Sequence, residues 1–195
     1  MTDQHFDVRD FTAEISLIEN REIRRLVITV LQAVPQRFFV EGASTTGKYH
    51  CPVSQGVGGL VRHTKLLVKF ALEMLNLEQF DELRNLKDEL IASMLLHDSI
   101  KMGWDDTNKW TVAEHPNLAA DFTMKKALEL KNLPASTVNR ICAGIRSHSG
   151  QWNTDKEGRE ILPKPVTRFE QFVHLCDYLA SRRWLDVKEQ ELSIK

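Results

Sequence analysis

The spacing of the apolar residues constrains this chain more than any other feature. From Glu14 to Val34, the residues Ile15, Ile18, Ile23, Leu26, Val27, Val30, Leu31 and Val34 mostly recur three or four positions apart. That is the period at which side chains share one face of an α-helix. Pro35 predicts the end of this first helix. The same period predicts helices over Leu60–Leu77, from near Leu86 toward His97, and over Ala113–Leu130, Ala135–Ser147 and Arg168–Asp186, with Pro134 suited to a helix start. No run alternates long enough to predict a strand, and no internal repeat is found. The expected fold is an all-α, single-domain helical bundle.

Three segments break the pattern. Glu41–Gly59 carries five glycines, three consecutive Ser/Thr residues and Pro52; Ile100–Thr111 is polar and holds Trp104 and Trp110; Gly150–Pro165 is charged and closes on two prolines. Connections of this length are often functional in a compact domain. A chain of 195 residues fits one domain able to bury a core without disulfides. Cys51, Cys142 and Cys176 are odd in number and scattered, so they read as reduced thiols, none marked as a nucleophile.

Charge excludes one class of partner. With 26 Lys+Arg against 27 Asp+Glu the net charge is −1, too little positive charge to wrap duplex nucleic acid, while a small anion remains possible. No stretch approaches the ~20 apolar residues that span a bilayer, and the polar start MTDQHFDVRD lacks a signal-peptide core. The expected address is the cytoplasm, with no membrane partner.

The histidines carry the chemical signal. His63, His97, His115 and His148 fall in or beside expected helices, and His97-Asp98 ends the apolar run SMLLHD. Two ionisable groups at a buried helix end are costly unless they are paired or bind a metal. A neutral imidazole nitrogen binds divalent transition metals, and a carboxylate can bridge two of them. Lys101 follows three residues after Asp98, on the same face if the helix continues. Asp177 lies in the apolar segment FVHLCDYLA, where a carboxylate needs a partner, and Arg182 or Arg183 would serve as well as a metal. Lys48 and His50, in the Gly/Ser/Thr loop, suit a phosphate or a role behind the ligands. The sequence GKYH fails the P-loop pattern, since Lys48 is followed by Tyr49. Trp104 and Trp110 flank Asp105 and Asp106 and read as loop anchors or as a surface for a stacked nucleobase.

His63 in GGLVRHTKLL, His97 and Asp98 in LLHDSIK, and Asp177 in HLCDYLASR together resemble the HD-domain metal-dependent phosphohydrolases. The resemblance covers residues 58–186 as an HD-type core, with residues 1–57 as an N-terminal helix and loop packing on it and 187–195 as a tail. It implies metal ligation by His63, His97, Asp98 and Asp177. His115 and His148 fall where two-metal members carry further ligands, which implies two divalent ions drawn from Mn, Fe, Ni, Co, Zn or Mg. Lys101 matches the lysine of HDxxK that meets the substrate phosphate, so Asp98 and Lys101 become the implied catalytic pair. Arg62, Lys65 and Arg146 neighbour ligand positions and are candidates to help bind phosphate. His174 competes with Asp177, but the family pattern favours the aspartate and leaves His174 in the core or behind the ligands. No GYP motif follows the doublet.

The implied activity is hydrolysis of a nucleotide or nucleic-acid phosphoester by a metal-activated hydroxide, as a phosphodiesterase, nuclease or nucleotidase. Single-stranded nucleic acid is a possible substrate. The alternative is a catalytically silent module of the same type that binds a nucleotide for regulation.

Overall fold

The computed structural model describes residues 6–183. Among these residues the chain forms eight α-helices: α1 (Thr12–Ser16), α2 (Arg21–Leu31), α3 (Arg37–Val40), α4 (Gly59–Met74), α5 (Lys87–Leu96), α6 (His115–Leu130), α7 (Ala135–Ser147) and α8 (Arg168–Ala180). Short 3-10 segments cover Val8–Phe11, Pro52–Ser54 and Glu78–Leu86. The described residues form no strand, only one antiparallel bridge between Thr154 and Glu160 in the loop after α7.

Helix α5 organises the bundle. Leu90 to Leu96 are buried without exception, so this helix is enclosed on every side and has no polar face to give to solvent. It packs against α2, α4, α6, α7 and α8. Its one charged side chain turned inward, Glu89, is paired with Arg140 of α7 at 2.9 Å. Because α5 runs through the centre, the residues that follow it, His97 and Asp98, emerge inside the bundle.

The expected helix over Glu14–Val34 is two helices. The chain leaves α1 after Ser16, and Asn20 adopts an extended backbone whose side chain accepts from the amides of Glu22 and Ile23, capping α2. Asp88 of α5 secures the break by accepting from the amides of Glu19 and Asn20 at 3.1 and 2.6 Å. Ile15 and Ile18 still reach the core, so the apolar period persists across a bend that it cannot reveal. Helix α2 stops at Leu31, ahead of Pro35, and α3 follows with Phe38 and Phe39 packed around Phe11.

The helix expected over Leu60–Leu77 ends at Met74, where Arg84 donates to the carbonyls of Leu75 and Asn76. The 3-10 stretch Glu78–Leu86 then connects to α5. Helix α8 opens on a capping box between Thr167 and Glu170 and ends at Ala180. Positions 184–186 of the expected last helix, and the tail 187–195, lie outside the described residues. No helix among the described residues is long and apolar enough to cross a membrane.

Candidate metal centre

At the end of α5 the helix tightens into successive three-residue turns, with Ser99 N–H donating to Leu96, Lys101 to Asp98 and Gly103 to Ile100. These turns, rather than a continued α-helix, bring the Lys101 ammonium onto Asp98 Oδ2 at 2.5 Å. The loop then folds back, held by Val112 N–H on the Lys101 carbonyl and by Asn108 Nδ2 on those of Met102 and Trp110. This return delivers His115, the first residue of α6, beside the carboxylate it left.

Two groups of donor atoms converge there. His63, His97 and Asp98 form one, and Asp98, His115 and His148 the other, with the ligand atoms of each group within 4.8 Å of one another. Asp177 of α8 closes the first group, its Oδ1 lying 3.0 Å from His63 Nε2 and 3.7 Å from His97 Nε2. Asp98 belongs to both: Oδ2 is 3.3 Å from His97 Nε2, and Oδ1 is 2.9 Å from His115 Nε2 and 3.6 Å from His148 Nε2. Five elements contribute, namely α4, the end of α5, α6, the end of α7 and α8.

A model of one protein family, the HD domain, matches residues 60–182. The chain belongs to the HD domain family. Members of this superfamily are metal-dependent phosphohydrolases. Compared with curated proteins and with solved structures, the chain has no significant match.

The donor set of this HD domain fits divalent ions. His97, His115 and His148 each direct Nδ1 to a carbonyl three residues back, those of Met94, Val112 and Ile145, at 2.7 to 2.8 Å. With Nδ1–H so committed, each ring presents the lone pair of Nε2 inward, the tautomer a metal requires. The Nε2 atoms of His115 and His148 then stand 3.3 Å apart, both facing a carboxylate. Lone pairs do not approach so closely without a cation or a proton between them. Nε2 of His97 and Oδ1 of Asp98 are also buried without a hydrogen bond, and a site for an ion removes that cost.

Electrostatics agrees with a cationic guest. Burial alone would raise the Asp98 carboxyl, but Lys101, His97 and His115 outweigh it and hold the group well below the usual carboxylate range. Burial likewise opposes ionisation of Asp177, and its hydrogen bond to His63 reverses the effect, keeping it ionised. Burial pushes the His148 imidazole down to about 3, leaving it neutral and ready to ligate. His97 goes the other way: burial lowers it, yet the neighbouring charges of Asp98 and Asp177 raise it above the ordinary histidine value.

That raised His97 sets a direction for pH. Its charged form adds stability to the metal-free fold below the ordinary histidine pKa, and this contribution is lost as pH rises through the raised value. A metal must displace the same proton, so its affinity should increase as pH rises toward that raised value, with proton release on loading. Titration of metal-free protein with Mn2+ in two buffers of different ionisation enthalpy measures this. Affinity independent of pH would show that His97 does not ligate.

Other candidate residues lie elsewhere. Arg62 does not reach the cluster: its guanidinium donates to the carbonyls of Val53, Gln55 and Val57 and fastens the Gly/Ser/Thr loop. Lys65 is paired with Glu14 of α1 at 3.0 Å, and Arg146 with Asp121 of α6. Proximity in sequence to a ligand put these three cations on other faces of their helices. Lys48 stands exposed on its loop, whereas His50 turns inward to meet His63. Trp104 packs edge-on against Phe122 as a loop anchor, and Trp110 is exposed. The three cysteines are buried, and burial raises Cys142 to about 11 and Cys176 further, away from the thiolate that a nucleophile at either position needs.

His174 supports the centre without joining either ligand group. Its Nδ1 lies 2.7 Å from the His148 carbonyl and braces the chain where that ligand leaves α7. Two residues on, Gly150 adopts φ +60, and a Cβ there would lie 2.1 Å from the His174 ring. The glycine in SHSG was the available signal for this close approach, and only a left-handed turn packed on a ring gives it meaning.

Proposed function

We propose that this HD domain hydrolyses a phosphoester of a nucleotide or nucleic acid at a centre of two divalent ions. His63, His97, Asp98 and Asp177 would hold one ion, and Asp98, His115 and His148 the other. The observation that carries the reading is the position of Asp98: one carboxylate faces both donor groups while Lys101 sits on the same carboxylate. Bound divalent ions supply Lewis acidity toward phosphoryl oxygens and lower the pKa of water.

The chain's own residues then have distinct tasks. Asp98 sets the separation of the two groups and anchors Lys101, whose ammonium stands ready to offset negative charge growing on phosphoryl oxygens. The backbone carbonyls behind His97, His115 and His148 fix those rings before any substrate arrives. The nucleotide part of the proposal is supported by an aromatic surface packed on His174, the residue that braces His148. Trp152, four residues after His148, is half-exposed and stacks on Tyr178, the residue after Asp177, with the Arg182 guanidinium 4.4 Å from the tyrosine ring. Such surfaces stack nucleobases with about 1–3 kcal/mol per base. A net charge of −1 favours a small substrate over a duplex.

Purified protein assayed with Mn, Mg, Fe or Ni and bis-p-nitrophenyl phosphate tests the reaction, with elemental analysis alongside. The expected result is two metals per chain and turnover that a chelator removes. Metal binding with no turnover of any phosphoester would make the chain a silent nucleotide-binding module. A single metal per chain would move His115 and His148 to a substrate or supporting role. Higher kcat/KM for nucleotides than for the aryl ester would support the nucleotide reading.

A further inference from the structure

The loop between α3 and α4 sends one side chain into the cluster that the proposed chemistry leaves unused. Lys48 and Tyr49 are exposed, but the next residue, His50, is only 9% exposed. Its ring meets that of His63 edge-on, with centroids 4.8 Å apart, and its Nδ1 is buried without a hydrogen-bond partner. His50 lies close enough to Lys101, Asp98 and Asp177 to feel their charges. Neither group of converging ligand atoms includes it.

The loop is built to hold it there. Gln55 Nε2 donates to the carbonyls of His50 and Gly47 at 2.7 and 3.2 Å. The carbonyl of Gln55 in turn accepts from Arg62 Nη2 at 2.8 Å, and Arg62 also grips Val53 and Val57. Arg62 directly precedes His63 on α4, so the turn that carries a ligand also straps down the loop that carries His50. Gly59 makes the closeness possible, since a Cβ at that position would lie 2.4 Å from the Ser54 carbonyl oxygen. A ring nitrogen buried without a partner beside Lys101, the proposed phosphate contact, calls for a partner that arrives with the ligand.

We propose that His50 is a phosphate-binding residue, donating from its free ring nitrogen to a phosphoryl oxygen on the His63 side of the centre, with Gln55 and Arg62 as positioning residues. The identity of that oxygen rests on the phosphohydrolase reading; the placement of His50 does not.

The test uses the full chain loaded with Mn2+ and inorganic phosphate as the probe, followed by calorimetry. His50→Ala should weaken phosphate binding ~10-fold, the loss of one hydrogen bond to a charged group, with manganese content unchanged. His50→Gln, which keeps a donor of similar reach, should recover part of the loss. Gln55→Ala should weaken phosphate binding by a smaller factor at the same metal content. Unchanged phosphate affinity in His50→Ala overturns the proposal, as does loss of manganese from both His50 variants, which would make the ring a structural prop for His63. Wild-type protein that binds phosphate without turning over any ester sinks the hydrolase reading alone and leaves the His50 comparison decisive. Wild-type protein that loads manganese and binds no phosphate overturns both.

Discussion

Asp98→Asn should abolish turnover and reduce bound metal below one ion per chain, the largest functional effect expected of any single substitution. Asp98 is the one residue shared by both donor groups, and its oxygens face His97 and Lys101 on one side and His115 and His148 on the other. Asparagine keeps the shape and removes the charge. Ligand loss at a bridging position forfeits several kcal/mol of charge stabilisation, so hydrolysis should fall by at least ~10³-fold. The metal-free protein should also lose about 3 kcal/mol, because Lys101 and the raised His97 are left facing a neutral amide in a buried place. Elemental analysis, hydrolysis of bis-p-nitrophenyl phosphate and urea unfolding without metal measure the three effects separately. Wild-type metal content in a folded Asp98→Asn protein would refute the bridging assignment.

Gly150→Ala should be the most damaging change at a residue with no functional group. Gly150 holds φ +60, and an added Cβ would lie 2.1 to 2.5 Å from three atoms of the His174 ring. A left-handed backbone costs a non-glycine residue about 1–2 kcal/mol. The ring cannot simply swing aside, because its Nδ1 is bonded to the His148 carbonyl and Trp152 and Tyr178 flank it. We expect a total loss of about 3 kcal/mol, with the ion at Asp98, His115 and His148 weakened more than the other. The double variant Gly150→Ala/His174→Ala should regain the steric part of the stability but not the metal affinity, since His148 would still lack its brace. Full metal affinity in that double variant would show that His174 is only packing.

The apolar period in the sequence determined the all-α class and located the helical regions, because one-face burial leaves the same spacing wherever a helix meets a core. The resemblance carried by His63, His97-Asp98 and Asp177, rather than the period, led to these four residues and to His115 and His148, and the fold gathers all six from five elements. What period alone could not show was the bend at Asn20, since Ile15 and Ile18 before it and Ile23 after it all stay in the core and the break depends on Asp88, 68 residues away. Sequence neighbourhood could not show that Arg62, Lys65 and Arg146 have partners elsewhere, because residues one or two apart on a helix point about 100–200° apart and do not face one target. Only the tertiary structure decided which nitrogen of each imidazole faces inward, that His174 braces His148, and that His50 folds onto His63. Those outcomes depend on carbonyls and turns that carry no side-chain signature, so residue types along the chain determine the chemistry available and backbone packing decides where it is aimed.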